Sequence, residues 1–231
     1  GLLLKRAVKA AAIANGVEAT FMAKPHHDWT GSGLHVHVSL IDKNGNNVFV
    51  GDPNAKEPCE PLAPAFKHAL GGLLKTMPDF MPIWAQYANS YRRYVPKSYV
   101  SMAPHWGFNN RTVALRVPGG NIKATRVEHR ISGADANPYL VVAAILAGIH
   151  HGLVNKLDCG PPVKGNSEEL NVPPLPTSWV KALDVFSTSP VVREAFGEGF
   201  QHVFTQLKQT ERISFERVVT PLDHTWYSQI A

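Results

Sequence analysis

The chain has 231 residues, 44% of them hydrophobic and 18% charged, with a formal net charge of +5. That length buries a substantial core and suits one large domain or two small ones. The longest apolar run, Leu140 to Ile149, is about half of the roughly 20 residues a membrane helix needs, and no dense Lys/Arg block is interleaved with aromatics, which argues against a membrane span and a nucleic-acid surface.

Leu2 to Ala14 has helical apolar spacing and stops at Asn15-Gly16. Lys5, Arg6 and Lys9 lie inside the apolar stretch rather than ahead of it, unlike a secretory signal, and without an initiating methionine the chain reads as beginning inside a longer protein. "VEATFMAK" reads as a strand. "LHVHVSLIDKNGNNVFV" reads as a strand, an Asn44-Gly45 turn and a return strand. Cys59 and Cys159 form no CxxC or Cys/His zinc pattern, which points to a reducing, cytoplasmic compartment.

Pro61 to Met77 is expected to be helical, and the proline- and aromatic-rich stretch 78–97 irregular around short helical turns. Strand-like segments follow in "YVSMAPHWGF", "RTVALRV" and "TRVEHRI". Asn137-Pro138, a cap and a first-turn proline, then opens a long, nearly all-apolar helix that should be buried. The proline-rich segment 160–176 reads as an exposed loop, and helical patterning resumes from Trp179 to Val219. Trp84 and Trp179 are assigned to packing, and His150 and His151 to the C-terminal end of the long helix, where cations are favoured. His26 and His27 precede the glycines and belong either to solvent or to the rim of a cleft.

In "GSGLHVHVSL" the alternation of a strand puts His35, His37 and Ser39 on one face and Leu34, Val36, Val38 and Leu40 on the other. An isolated H-x-H is ordinarily the polar side of a half-buried strand. "ATRVEHR" repeats the pattern, however, with Arg126, Glu128 and Arg130 on one face. Alone, that is a salt-bridge ladder. Arg92 to Asp135 holds six arginines against two acids, and guanidinium forks match phosphate and carboxylate oxygens, so the imbalance points to a bound polyanion such as ATP.

The ordered segments "KP…GSGLHVHVSL", "NSYRRYVP", "NNRTVALRVP", "RVEHR" and "ADANPYL" resemble the C-terminal part of the catalytic domain of the glutamine synthetase family. "FMAKP", "WGFNNRTVALRVP" and "RVEHRISGADANPYLVVAAILAGI" look most like its γ-glutamylpolyamine (γ-glutamylputrescine) synthetase branch. The resemblance is strongest over 24–155 and looser over the helical region 177–231, and makes all of 1–231 the C-terminal part of that domain. It implies an α+β fold, a curved antiparallel sheet backed by helices, in stacked rings of a cytoplasmic homo-oligomer, a dodecamer in the full-length protein.

The same resemblance implies an ATP-dependent ligase. The γ-carboxylate of glutamate takes the terminal phosphate of ATP, and an amine then displaces phosphate from the γ-glutamyl phosphate. It implies Mg²⁺ or Mn²⁺ on His35 and Glu128. His37 and Ser39 would contact ATP, and Arg111, Arg116 and Arg126 its phosphates. Arg93 and Arg130 would hold the carboxylates of glutamate, with Gly31 and His35 beside it. Arg93, Arg111 and the flap position Tyr99 would act in catalysis. Further metal-binding glutamates and an N-terminal β-grasp domain would come from upstream, so that 1–231 alone is expected to be inactive.

Two positions depart from the family pattern. Thr30 stands where most ammonia users have asparagine. In the flap, approximately R-L-V-P-G-[YF]-E-A-P in the family, this chain reads "RYVPKSYVS", with Tyr99 at the glutamate position. A phenol of pKa about 10 does not supply the charge that binds and deprotonates ammonium. The expected acceptor is therefore a polyamine or other organic amine, with Trp106 and Tyr94 as apolar surface beside it. The alternatives are a glutamine synthetase using ammonia and a catalytically silent relative that binds or builds.

Overall fold

The computed structural model describes residues 1–56, 58 and 61–230; Cys59 lies outside them. Helix α1 (Leu2–Ala14) ends as its sequence requires, at Asn15 followed by Gly16 with φ +70°. None of its residues is buried. Residues 17–24 form no strand, although Ala23 O accepts the Ser32 N–H (2.8 Å). The expected hairpin is reduced to strand β1 (Val36–Val38) and one isolated bridge, Ile41 with Asn47. Asp42 takes up the turn's backbone by accepting from the N–H groups of Asn44 and Asn46 (2.8 and 2.9 Å).

Helix α2 (Pro64–Thr76) is followed by two single-turn helices, α3 (Met81–Trp84) and α4 (Ala88–Tyr91). Three short strands come next: β2 (Trp106–Phe108), β3 (Leu115–Val117) and β4 (Val127–His129). The sheet order is β1-β4-β3-β2. β1 and β3 flank β4 antiparallel, whereas β2 and β3 run parallel. A parallel pair normally needs a long crossover, but strands of three residues span only about 10 Å, so residues 109–114 carry the chain back. The fold is α+β, with a small open sheet backed by helices.

Asn137 caps helix α5 (Pro138–Val154) by accepting from Tyr139 N–H (3.0 Å). The helix is buried along one stripe only, Val141, Ala144, Ile145, Gly148, Ile149 and Gly152. Tyr139, Val142 and Leu146 remain exposed, so this helix is half covered rather than enclosed. Its stripe meets α2 at backbone distance: a Cβ on Gly72 would lie 2.2 Å from Gly148 O, and one on Gly152 2.0 Å from His68 O. Helices α6 (Trp179–Thr188), α7 (Pro190–Phe196), α8 (Glu198–Glu216) and α9 (Pro221–Tyr227) complete the chain.

The 160–176 segment is not a free loop. Val163 N–H donates to Trp106 O (2.8 Å) and Leu175 N–H to Met102 O (2.7 Å), so it lines the outer edge of the sheet at β2. The core joins α2, α3, α5 and α6 to the back of the sheet through Phe66, Leu70, Trp84, Leu115, Ile145 and Phe186. Both Trp84 and Trp179 are buried in it. Among the described residues, no helix is long and apolar enough to cross a membrane.

Candidate active site

The strand register sorts the two faces of the sheet. Val36 pairs with His129 and His129 with Leu115, a row packed on the core. The adjacent row, His37, Glu128 and Arg116, faces the other way. Glu128 is its centre, with a side chain only 4% exposed. Arg116 Nη1 donates to Oε2 and Arg130 Nη1 to Oε1, each at 2.8 Å. His35 Nδ1 lies 3.0 Å from Oε1 and His37 Nε2 4.0 Å from it.

Burial pushes the Glu128 carboxyl up, but the Arg116 hydrogen bond and the charges of Arg130 and Arg116 outweigh it and hold the group below its ordinary range. Burial, seconded by Arg130, pulls the His35 imidazole down against the opposing pull of Glu128. At neutral pH the site therefore offers one carboxylate, neutral imidazole at His35 and a surplus of guanidinium charge.

Arg126 Nε donates to His37 Nδ1 (3.0 Å), which ties the next arginine to the same face. Ser39 follows on that face, at the rim of an open depression shared with Asn47 and Lys123. Arg111 enters through its backbone, its carbonyl accepting from Arg130 Nη2 (3.2 Å), while its residue stays exposed. Arg92 is exposed.

Arg93 is 3% exposed and donates from Nη1 to Ile131 O (3.1 Å). A Cβ on Gly31 would lie 2.7 Å from Arg93 Cγ, and one on Gly33 3.2 Å from Arg93 Nη2 and 3.3 Å from His35 Nε2. Both glycines let the backbone approach where a side chain would displace the arginine or the imidazole.

Tyr99 is 73% exposed on the segment that follows Arg93. Trp106 and Tyr94, expected beside it as apolar surface, are buried instead. Trp106 Nε1 donates to Cys159 O and Gly160 O (both 3.0 Å), and Tyr94 OH to Ile131 O (2.9 Å). Among the described residues, the sole cluster of three metal-ligating side chains with donor atoms all within 4.8 Å is exposed His26, His27 and Asp28. His150 is exposed and His151 partly so.

Glu168 and His105 carry no sequence signal, and for His129 strand alternation says only that it points away from Arg126, Glu128 and Arg130. His129 alternates onto the core face and packs on Trp84 at 4.5 Å. Glu168 sits in the proline-rich segment yet accepts from Lys97 N–H. His105 is buried just before β2.

The family model for the glutamine synthetase catalytic domain matches residues 1–227, and the chain belongs to that family. It is 43% identical to γ-glutamylputrescine synthetase PuuA of Escherichia coli (strain K12), over 97% of this chain and 46% of that protein. It is 36% identical to a glutamate–isopropylamine ligase of Pseudomonas sp, over 91% of this chain and 46% of that protein. Among solved structures, ligand-free GmaS superposes with a TM-score of 0.84 at 28% identity, covering 98% of this chain and 52% of that one. The chain thus spans about half the length of the relatives it matches.

Proposed function

We propose that residues 1–231 are the C-terminal part of the catalytic domain of a ligase that joins the γ-carboxylate of glutamate to an organic amine at the expense of ATP. The observation that supports this most is the buried Glu128 carboxylate, held by Arg116, Arg130 and His35 on a face where cations outnumber acids. In this reading Arg111, Arg116 and Arg126 meet the phosphates of ATP, with His37 and Ser39 beside them. Arg93 and Arg130 hold the carboxylates of glutamate against the backbone at Gly31. Glu128 and His35 would hold Mg²⁺ or Mn²⁺: a hard carboxylate and a neutral imidazole nitrogen, converging to 3.0 Å, suit one side of a divalent ion. When bound, the ion supplies charge neutralisation at the phosphates.

A γ-carboxylate oxygen of glutamate attacks the terminal phosphorus of ATP, and ADP leaves. The amine nitrogen then attacks the γ-carbonyl carbon, the bond from carbon to the phosphate oxygen breaks, inorganic phosphate leaves, and the ammonium proton passes to a base. Arginines fixed in advance stabilise the charge on the transferring group without reorganising at that moment. The acceptor is an organic amine because Tyr99 puts a phenol where the family's flap carries a carboxylate. The names of the two ligases above point the same way. The working form is a cytoplasmic homo-oligomer, a dodecamer, and 1–231 alone is inactive.

Glutamate carrying ¹⁸O in its γ-carboxylate tests the acyl phosphate in the full-length protein. One labelled oxygen should appear in inorganic phosphate for each γ-glutamyl amide formed. Amide formation with unlabelled phosphate would exclude the intermediate.

A further inference from the structure

His26, His27 and Asp28 have no part in the reaction above, yet they form a compact donor set. Their three ligating atoms all lie within 4.8 Å of one another. His27 Nε2 is 3.0 Å from Asp28 Oδ1 and His26 Nδ1 is 4.0 Å from Asp28 Oδ2, so one carboxylate reaches both imidazoles. The two rings stack with centroids 4.8 Å apart, and the His26 ring also packs on Trp29 at 5.1 Å.

A turn brings these side chains together. Trp29 N–H donates to His26 O (3.3 Å), which bends the chain over residues 26–29. Pro25, whose ring restricts φ, comes immediately before His26. Both feet of the loop are fixed. Asn89 Oδ1 accepts from Lys24 N–H (2.9 Å) and Asn89 Nδ2 donates to Lys24 O (2.8 Å), while Ser32 N–H donates to Ala23 O (2.8 Å). Lys24 Nζ donates to Trp29 O and closes the loop between them.

Two imidazole nitrogens and one carboxylate oxygen match the donors of three-ligand zinc sites, in which water takes the fourth position. With zinc–ligand bonds of about 2.0–2.2 Å, tetrahedral donors lie about 3.4 Å apart. The present spacing therefore has to contract somewhat. The contraction falls on side chains that are 49%, 82% and 68% exposed, for His26, His27 and Asp28, and are free to rotate. Mg²⁺ takes oxygen ligands in an octahedron and gives up water reluctantly, so two imidazoles favour zinc over magnesium here.

We propose that the His26–His27–Asp28 turn is a zinc site separate from the metal position at Glu128, with these three side chains as ligands and water completing the shell. The ion sits on the loop that carries Gly31 to its packing against Arg93. The assignment stands on this turn alone and does not depend on the ligase reading.

The test is equilibrium dialysis of the full-length protein, prepared without a histidine tag, against Zn²⁺ in excess Mg²⁺. The wild type should retain one zinc equivalent per chain more than a variant carrying both His26→Ala and His27→Ala, and Glu128→Gln should retain that equivalent. Asp28→Asn should weaken zinc binding at this site by about tenfold or more, the scale on which metal sites respond to loss of a carboxylate partner. All three positions are exposed, so the thermal midpoints of the turn variants without zinc should stay at the wild-type value. Equal zinc stoichiometry and affinity in the wild type and the double variant would overturn the proposal, as would loss of the equivalent in Glu128→Gln or a wild type that retains no zinc.

Discussion

His35 and Glu128 meet at 3.0 Å across two neighbouring antiparallel strands, and Arg130 donates to the same carboxylate oxygen at 2.8 Å. One oxygen thus faces an imidazole and a guanidinium together. Glu128→Gln keeps the shape and removes the charge that both groups face. In the full-length enzyme kcat should fall by about 100-fold or more, on the scale of losing one preorganised electrostatic group. The divalent-ion concentration for half-maximal turnover should rise. Metal titrations of turnover read both; an unchanged metal requirement would contradict the assignment of Glu128.

Tyr99 carries the prediction about acceptor choice. Tyr99→Glu restores a carboxylate at an exposed position, where it costs the fold little. The ratio of kcat/KM for ammonia over that for an alkyl amine should rise by about tenfold, in keeping with a positioned acid–base group. Steady-state ADP release with each acceptor measures it, and no change in the ratio would remove Tyr99 from acceptor selection.

Helices α2 and α5 touch through their backbones, which makes the packing intolerant of a single methyl. Gly152→Ala places a Cβ about 2 Å from His68 O, so the helices must separate. Overpacking of this kind costs about 1–3 kcal/mol and more where backbone blocks backbone. The thermal midpoint should fall by several degrees or the protein fail to fold. Gly199→Ala, on α8 with open space around its Cβ, should leave the midpoint unchanged.

His129 gives the acid limb of stability a specific origin. Buried on the core side of the sheet, its imidazole is pushed down to about 3, chiefly by desolvation and then by His35. In the unfolded chain it protonates near pH 6.5, whereas in the fold it stays neutral. Between those values the unfolded state binds the extra proton, so stability should decline as pH falls from about 6.5 toward 3. His129→Leu should flatten part of that decline in thermal midpoints measured at pH 7.5 and 5.5, and an identical slope would show that other groups carry it.

Strand periodicity makes the shared polar face legible in the sequence. Alternation placed His35, His37 and Ser39 together, and Arg126, Glu128 and Arg130 together; the structure sets the two faces side by side because β1 and β4 are neighbours. Pairing between distant strands was not legible, since it depends on which apolar faces meet in the core. "VEATFMAK" has strand composition but finds no sheet edge. The apolar length of α5 suggested full burial, yet only the stripe bearing Gly148 and Gly152 is covered. Glu168 and His105 stayed invisible because an acid in a proline-rich segment and a lone histidine have no periodic partner, and only the chain path brings the 160–176 segment against β2.

Acceptor choice in the full-length enzyme tests the central claim most directly. With ATP, glutamate and Mg²⁺, ADP release should depend on both glutamate and amine, and kcat/KM should be higher for an organic amine than for ammonia. Equal or better use of ammonia would return the protein to plain glutamine synthetase and remove the role assigned to Tyr99.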